Sequence, residues 1–183
     1  MELSTCSSLA VVFRKSEQTA QQAAWYRTIQ EIRKNIDKSY CRWPLHINLL
    51  FPFVNGNVQL VREQLEKLCL PWTPFTYQLG SFSYFEHKHS CSIILQVTNG
   101  LHSFQELHRE LLLLYPQYQS ELDRIGGTYH PHISLGKTKT KKEAEDLIAR
   151  LSHGWEHFDI TLTVNDICWL QRDKQSSFQE TFS

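Results

Sequence analysis

Short apolar runs that alternate with polar residues are separated by longer stretches in which apolar residues recur every three or four positions. The first pattern is typical of β-strands and the second of amphipathic helices. Trp25, Ile29 and Ile32 follow the second pattern, which predicts a helix from about residue 19 to Ile36. The same two patterns predict further helices over 58–70, 103–114 and 140–151, and strands over 9–13, 46–51, 75–85, 92–97, 129–135 and 158–170. Three of the helices are expected to begin with a capping box, at Thr19 and Gln22, Ser103 and Glu106, and Thr140 and Glu143.

The order of these elements predicts an α+β fold, because strands and helices do not alternate with the regular rhythm of a parallel sheet. A chain of 183 residues is long enough to bury one substantial core. We therefore expect a single domain over residues 1–183, with its core within about 9–170 and two similar lobes. The polar tail, 171–183, either adds a short edge strand or remains mobile.

The two lobes are suggested by one short pattern that occurs once in each half of the chain. Residues 43–49 read WPLHINL and residues 129–135 read YHPHISL. Each copy has an aromatic residue three positions before a histidine, a nearby proline, and then Ile, a small hydrogen-bonding residue and Leu. The two histidines are 86 positions apart in the chain. Their meeting would require the two lobes to pack face to face.

Residues two apart in a strand share a face, so His46 lies beside Asn48, and His132 beside Ser134. An imidazole with a pKa near roughly 6.5 can accept or donate a proton at neutral pH. Two histidines on opposite sides of a phosphorus can therefore act as general base and general acid without a metal. Asn48 and Ser134 could donate hydrogen bonds to the non-bridging phosphate oxygens. The sequence leaves open which histidine is the base.

These motifs resemble the paired His-x-Ser/Thr signature of the two-histidine phosphoesterase superfamily, which includes the 2'-5' RNA ligase-like proteins and cyclic phosphodiesterases. His132-Ile133-Ser134 matches the signature, whereas Asn48 replaces the third residue of the first motif. The resemblance extends over about residues 9–170. It implies a bilobal, pseudo-symmetric α+β fold with two antiparallel sheets around a central cleft and flanking helices.

The resemblance also implies a function. It points to a metal-independent phosphodiesterase that needs no cofactor and acts on an RNA-type or nucleotide phosphodiester. The implied substrates are a 2',3'-cyclic phosphate, a 2'-5' linkage or an RNA 3' end, carried by an RNA end, a short oligonucleotide or a cyclic nucleotide. The alternative is a nucleotide or RNA-end binding module that keeps the cleft with little turnover, and Asn48 motivates it.

Three aromatic residues are candidates for stacking on a base: Tyr129, Trp43 and Tyr84. Stacking on a ring tolerates any base, because every base has a π face. Tyr129 is the strongest of the three because of its distance from His132, and Phe85 is a further possibility. Aromatic residues in strands are more commonly part of the core, and that alternative stays open here.

Two His-x-His pairs raise the question of a zinc site. His130 shares a strand face with His132, and His87 and His89 form a second pair. A zinc site needs three or four ligands, and neither pair has an acidic residue at a matching spacing. We therefore predict no metal site, and a metal-dependent hydrolase that uses these pairs is a weaker alternative. The other histidines are interpreted as solvated helix or loop residues: His102, His108, His153 and His157.

The net charge of the chain bears on the length of a nucleic-acid ligand. Lys and Arg total 19, as do Asp and Glu, which gives a formal net charge of zero. A protein that binds long nucleic acid usually carries a net positive charge, so a short ligand is favoured.

The odd number of cysteines, five, is typical of reduced thiols. Because no signal peptide or long apolar segment is recognisable, we expect a cytoplasmic location, with the nucleus as an alternative, and no membrane association. We also expect a monomer without a stable protein partner.

Overall fold

The computed structural model describes residues 2–14, 20–124, 126–153, 155, 160–172 and 179–182. Its strands are β1 (Glu2–Ser4), β2 (Ser7–Val12), β3 (His46–Leu50), β4 (Phe53–Asn55), β5 (Phe75–His87), β6 (Ser90–Asn99), β7 (His132–Thr138), β8 (Ile160–Val164), β9 (Cys168–Gln171) and β10 (Gln179–Phe182). Its helices are α1 (Ala20–Ile36), α2 (Val58–Cys69), α3 (Leu101–Leu114), α4 (Gln119–Arg124) and α5 (Lys141–His153), with a 3-10 turn at Pro116–Tyr118. None of these helices has the length and apolar character needed to span a membrane.

The strands form two antiparallel sheets, which confirms the predicted α+β class. A two-stranded sheet pairs β1 with β4, and an eight-stranded sheet has the order β10-β9-β2-β3-β7-β6-β5-β8. One lobe supplies the strands β10, β9, β2 and β3 of the large sheet, and the other lobe supplies β7, β6, β5 and β8. The lobes meet where β3 pairs with β7 through Ile47 and Ile133. They therefore join edge to edge, and not face to face as the spacing of the histidines suggested.

The helices cover one face of the large sheet and leave the other face to the predicted site. Ile47 and Ile133, the pair at the lobe junction, are fully buried in a core that also contains Trp25 of α1 and Leu107 of α3. Side chains alternate between the two faces of a strand. The residues on either side of each isoleucine therefore point away from this core, and these residues include both histidines.

The predicted strand over 158–170 is wrong, because the structure divides it into β8 and β9. Asn165 and Asp166 lie between these strands, and side chains of these types favour turns over strands. β8 pairs with β5 at one edge of the sheet, whereas β9 pairs with β2 in the other lobe. Apolar residues recur at every second position in both strands, with Asp166 as the interruption, so the sequence pattern did not reveal that β8 and β9 lie in different lobes. Phe158 lies outside the described residues.

The structure contains one of the capping boxes expected at the helix starts. Thr140 and Glu143 form the predicted reciprocal cap of α5: the Glu143 amide donates to Thr140 Oγ1 (3.2 Å) and the Thr140 amide to Glu143 Oε2 (3.3 Å). The predicted Ser103 cap of α3 is wrong, because α3 already begins at Leu101 after Gly100. The proposed Thr19 cap of α1 lies outside the described residues. The tail supplies an edge strand, β10, which pairs with β9.

Candidate active site

The junction of the two lobes brings the four predicted catalytic and phosphate-binding side chains onto one patch of the sheet. Ile47 lies directly opposite Ile133 in the antiparallel pair β3–β7. This register sets Asn48 beside His132 and His46 beside Ser134, since antiparallel partners advance in opposite directions. Cβ atoms of directly opposed residues are about 4.5–5.5 Å apart. The patch therefore has an approximate twofold arrangement around the isoleucine pair.

Each histidine is held by a backbone carbonyl two residues before it. His46 Nδ1 lies 2.8 Å from the Pro44 carbonyl oxygen, and His132 Nδ1 lies 2.7 Å from that of His130. A carbonyl oxygen can only accept a hydrogen bond, so Nδ1 must carry the proton in both rings. In the neutral form Nε2 then carries the lone pair. Both rings are thus fixed in the tautomer that a general base needs at Nε2.

The environment of His46 favours its neutral form. The residue is 9% exposed, and burial is the main reason that its pKa falls from 6.5 to about 4. The positive charge of Arg33 and the neighbouring His132 lower this pKa further, against the opposing hydrogen bonds with the Pro44 carbonyl and the Asn48 side chain. The register of β3 and β7 places the two imidazoles at diagonal positions of neighbouring strands. At neutral pH His46 is uncharged.

His132 is less enclosed than His46. It is half-buried, and its pKa is lowered mainly by burial and also by the charge of His130, against the hydrogen bond to the His130 carbonyl. The ring of Phe85 on β5 meets it edge-on at 5.1 Å between centroids. The two histidines therefore share a tautomer but differ in access to solvent.

Arg33 is a part of this site that the sequence analysis did not identify. It is 2% exposed on α1, and its guanidinium donates to Asp37 Oδ2 (3.0 and 3.1 Å) and to the Trp43 carbonyl (3.0 Å). The sequence did carry a signal. Arg33 follows Ile29 by four positions and precedes Ile36 by three, so it belongs to the apolar face of α1.

Trp43, one of the three candidates for base stacking, packs directly on a histidine. Its ring stacks on His46 with 4.9 Å between centroids and 24° between planes. Phe51 meets the same indole edge-on at 5.5 Å. Trp43 is half-buried, and it supplies an apolar wall for the first histidine.

Tyr129 is tied into the protein by both its ring and its hydroxyl group. The ring stacks on His108 of α3, with 4.0 Å between centroids and 3° between planes. The hydroxyl donates to the Asn48 carbonyl oxygen at 2.8 Å, which links the segment before the second motif to the strand of the first. The interpretation of His108 as solvated is wrong: it is 3% exposed, because an inward-facing position on α3 places it under Tyr129.

The third candidate, Tyr84, lies on the other face of the sheet from the histidines. Its hydroxyl is 3.2 Å from Glu145 Oε1 on α5, and its ring packs against the core. Because side chains alternate along β5, the next residue, Phe85, faces the site instead. The structure thus brings Phe85, and not Tyr84, next to His132.

The His-x-His pairs do not gather further potential metal ligands. His87 Nε2 is 2.9 Å from Ser92 Oγ, and His130 is exposed. Within the residues that the structure describes, no three His, Cys, Asp or Glu side chains form a group able to hold a metal ion.

A protein-family comparison adds to this geometry. The model of the 2'-5' RNA ligase superfamily matches residues 20–176, a range that contains both histidine motifs. The chain belongs to the 2'-5' RNA ligase superfamily. The sequence resemblance is therefore confirmed at the level of the family.

A relative from another organism supports the same relationship. A protein of Geobacillus thermodenitrificans that is named as a candidate phosphoesterase is 25% identical over 135 residues, covering 71% of this chain and 72% of that protein. The superfamily assignment and this relative support a phosphoesterase as the general class of the protein.

Solved structures of other proteins have a fold similar to that of this chain. TT0787 of Thermus thermophilus matches with a TM-score of 0.56 and 14% identity over 96% of this chain and 94% of that one. Escherichia coli LigT, in complex with 3'-AMP, matches with a TM-score of 0.51 and 15% identity over 97% of this chain and 94% of LigT. Kluyveromyces marxianus Usb1 matches with a TM-score of 0.50 and 9% identity over 95% and 96% of the two chains.

Proposed function

We propose that the protein is a metal-independent phosphodiesterase that cleaves RNA-type or nucleotide phosphodiesters by acid–base catalysis with His46 and His132. One observation carries the proposal. Two imidazoles from separate lobes lie on one face of the sheet, each with Nδ1 bound to a carbonyl two residues before it. A matched pair of this kind can remove a proton from the attacking oxygen and supply one to the leaving oxygen.

The difference in burial suggests the two roles. His46 is enclosed, and Arg33 opposes its protonation, so it is suited to accept a proton from water or a ribose hydroxyl at Nε2. Burial lowers the pKa of His132 as well, but this ring is more open to solvent and Arg33 is not among the charges that lower its pKa, so of the two it is the better suited to bind a proton and deliver it to the leaving oxygen. Asn48 and Ser134 then donate hydrogen bonds to the non-bridging oxygens, where negative charge grows.

The substrate we propose is a small nucleotide phosphodiester: a 2',3'-cyclic phosphate, a 2'-5' linkage or an RNA 3' end. The complex of E. coli LigT with 3'-AMP supports a nucleotide ligand for this fold. The zero formal net charge favours a cyclic nucleotide, a short oligonucleotide or an RNA end over a long nucleic acid. We further propose that residues 1–183 form one domain that acts as a monomer in the cytoplasm.

The test is turnover of 2',3'-cyclic nucleotides and of 2'-5' and 3'-5' dinucleotides in the presence of a chelator. We expect activity to survive chelation and to fall by at least about a hundredfold in His46→Ala and in His132→Ala, since each removes one proton-transfer group. His102→Ala is the matched control, because His102 is exposed on α3 and should keep full activity. Unchanged activity in both active-site variants would refute the proposal.

The second candidate function is a nucleotide or RNA-end binding module with little turnover. Asn48 favours it, since this residue departs from the His-x-Ser/Thr pattern of the second motif. Calorimetry with adenosine 3'-monophosphate, set beside the turnover assay, separates the two functions. Binding without product from any of these substrates supports the module, and detectable turnover removes it.

A further inference from the structure

Asn48 poses a chemical problem that a serine or threonine at the same position does not. A hydroxyl group can rotate to donate its proton to a phosphate oxygen. An amide has a donor end and an acceptor end that are nearly the same shape. If the acceptor end faced the phosphate, two electronegative oxygens would oppose each other. An asparagine at a phosphate site therefore needs a partner that fixes which end faces the ligand.

The structure contains such a partner in Ser8. Its Oγ donates to Asn48 Oδ1 at 2.7 Å, and Ser8 is fully buried. Ser8 and Ala10 share a face of β2, and Ala10 lies opposite Asn48 in the pair with β3. The hydroxyl of Ser8 therefore reaches Asn48 from the neighbouring strand, on the face that carries His46.

We infer that Ser8 is a positioning residue that holds the acceptor end of the Asn48 amide and so presents the Nδ2 protons to a phosphate oxygen. The inference rests on the proposed function, and it assigns the first motif a donor built from two residues. Ser134 fills the equivalent place in the second motif with a single hydroxyl. Ser8 itself does not touch the substrate in this arrangement.

The neighbouring residue, Ser7, offers a matched control. It is also buried, at 1% exposed, but it points to the opposite face of β2. Its Oγ donates to the Val54 carbonyl at 2.8 Å and accepts from Trp169 Nε1 at 2.7 Å. Removing either serine hydroxyl disturbs a buried hydrogen bond in the same strand, but only Ser8 contacts Asn48.

A double-mutant cycle on kcat/KM tests the inference. In the natural background, Ser8→Ala should lower kcat/KM about tenfold, mainly through kcat, because the amide is needed where charge develops. In the Asn48→Ser background, Ser8→Ala should change kcat/KM by less than about twofold, since a hydroxyl orients itself. Equal losses in both backgrounds would overturn the inference, because independent effects add. Ser7→Ala should lower Tm but show the same effect on kcat/KM in both backgrounds.

A second measurement does not depend on turnover. The side-chain amide signals of Asn48 are followed by NMR while adenosine 3'-monophosphate is added. We expect the signals to shift in the natural protein and in Ser7→Ala, and Ser8→Ala to bind at least about fivefold more weakly. If binding behaves in this way but no substrate is cleaved, the proposed catalysis fails and the role of Ser8 stands. An Asn48 amide that is indifferent to the nucleotide, or to the loss of Ser8, overturns the inference.

Discussion

At the scale of single residues, the site depends on backbone carbonyls as much as on the histidines themselves. A carbonyl two residues before each ring binds Nδ1, so the tautomer follows from the local chain and not from a distant acidic residue. The two rings nevertheless differ, because only His46 is enclosed beside a buried cation. Equivalent motifs therefore become unequal through their surroundings.

The first prediction concerns the pH dependence of catalysis. With its pKa lowered to about 4 by burial, His46 stays neutral and able to accept a proton down to about that pH. The acidic limb of kcat/KM against pH should therefore lie well below about 6.5, since this profile reports groups of the free enzyme. A pH–rate series from about 3.5 to 8 measures it. An acidic limb near roughly 6.5 would show that His46 is not held neutral.

The second prediction concerns Arg33. Arg33→Met should lower the free energy of unfolding by about 3 kcal/mol, because Asp37 loses a buried partner and the Trp43 carbonyl loses a donor. It should also move the acidic limb of kcat/KM to higher pH, since a cation no longer opposes protonation of His46. Urea denaturation and the pH series measure the two effects.

Arg27→Met is the control for that variant. Arg27 is exposed on the same helix and donates to the Ala23 carbonyl, one turn earlier. Its replacement should leave both stability and the pH profile within error. Equal effects from the two arginines would show that the loss reflects helix propensity and not the contacts of Arg33.

At the scale of elements, the end of α1 lies unusually close to β7, the strand that carries His132. Gly136 has φ of +146°, and a Cβ atom at this position would overlap the backbone carbonyl of Ile36. β7 also has an irregular register with β6 between Ile93 and Ile94, next to Gly136. A glycine therefore allows the helix and the catalytic strand to pack together.

The third prediction follows from this contact. Gly136→Ala should lower the free energy of unfolding by at least about 3 kcal/mol, because both the backbone conformation and the space exclude a methyl group. Gly127→Ala is the control: φ is +73° there, but open space surrounds the position, so only the strain of about 1 kcal/mol applies. Chemical denaturation measures both, and similar losses would contradict the close approach of α1.

At the scale of the whole molecule, two lobes form one continuous sheet and bury two histidines that tune its stability. His46 lies at the junction of the lobes, and His108 lies under Tyr129. Burial lowers the pKa of each to about 4. The unfolded chain, with pKa values near roughly 6.5, therefore binds more protons than the folded protein at intermediate pH.

The fourth prediction is a loss of stability in mild acid. Because the unfolded state binds the extra protons, the free energy of unfolding should fall as pH drops from about 6.5 to 4, by up to about 3 kcal/mol for each histidine. Urea denaturation at about pH 7.5 and about pH 5 measures the loss. His108→Phe keeps an aromatic partner for Tyr129 and cannot titrate, so it should lose less stability between these two pH values. A loss equal to that of the natural protein would contradict the assignment to His108.

Much of the local structure could be predicted from the chain alone. The α+β class, both histidine strands, the helix over 141–153 with its Thr140 cap, and the pairing of His46 with Asn48 all follow from periodicity or local hydrogen bonding. The misplaced start of α3 and the division of 158–170 have a local cause as well. Gly100 directly precedes the observed start of α3, and Asn165 and Asp166 separate β8 from β9.

Several contacts at the site join segments that are distant in the chain. Ser8 and Asn48 are 40 positions apart, and Tyr129 bonds to a carbonyl 81 positions away. Tyr84 and Phe85 are both aromatic neighbours in one strand, and only the pairing of β5 and β6 decides which of them meets His132. The residue types alone do not determine which of the two rings faces His132.

Periodicity and residue chemistry by themselves determined which strands carry the imidazoles and which neighbours share their face, because alternation along a strand is a local property. The tertiary structure decided that β3 and β7 are adjacent, that Arg33 and Ser8 reach the first motif, and that His46 is more enclosed than His132. These features arise from strand pairing and burial, which depend on how the whole chain packs and which no single segment specifies.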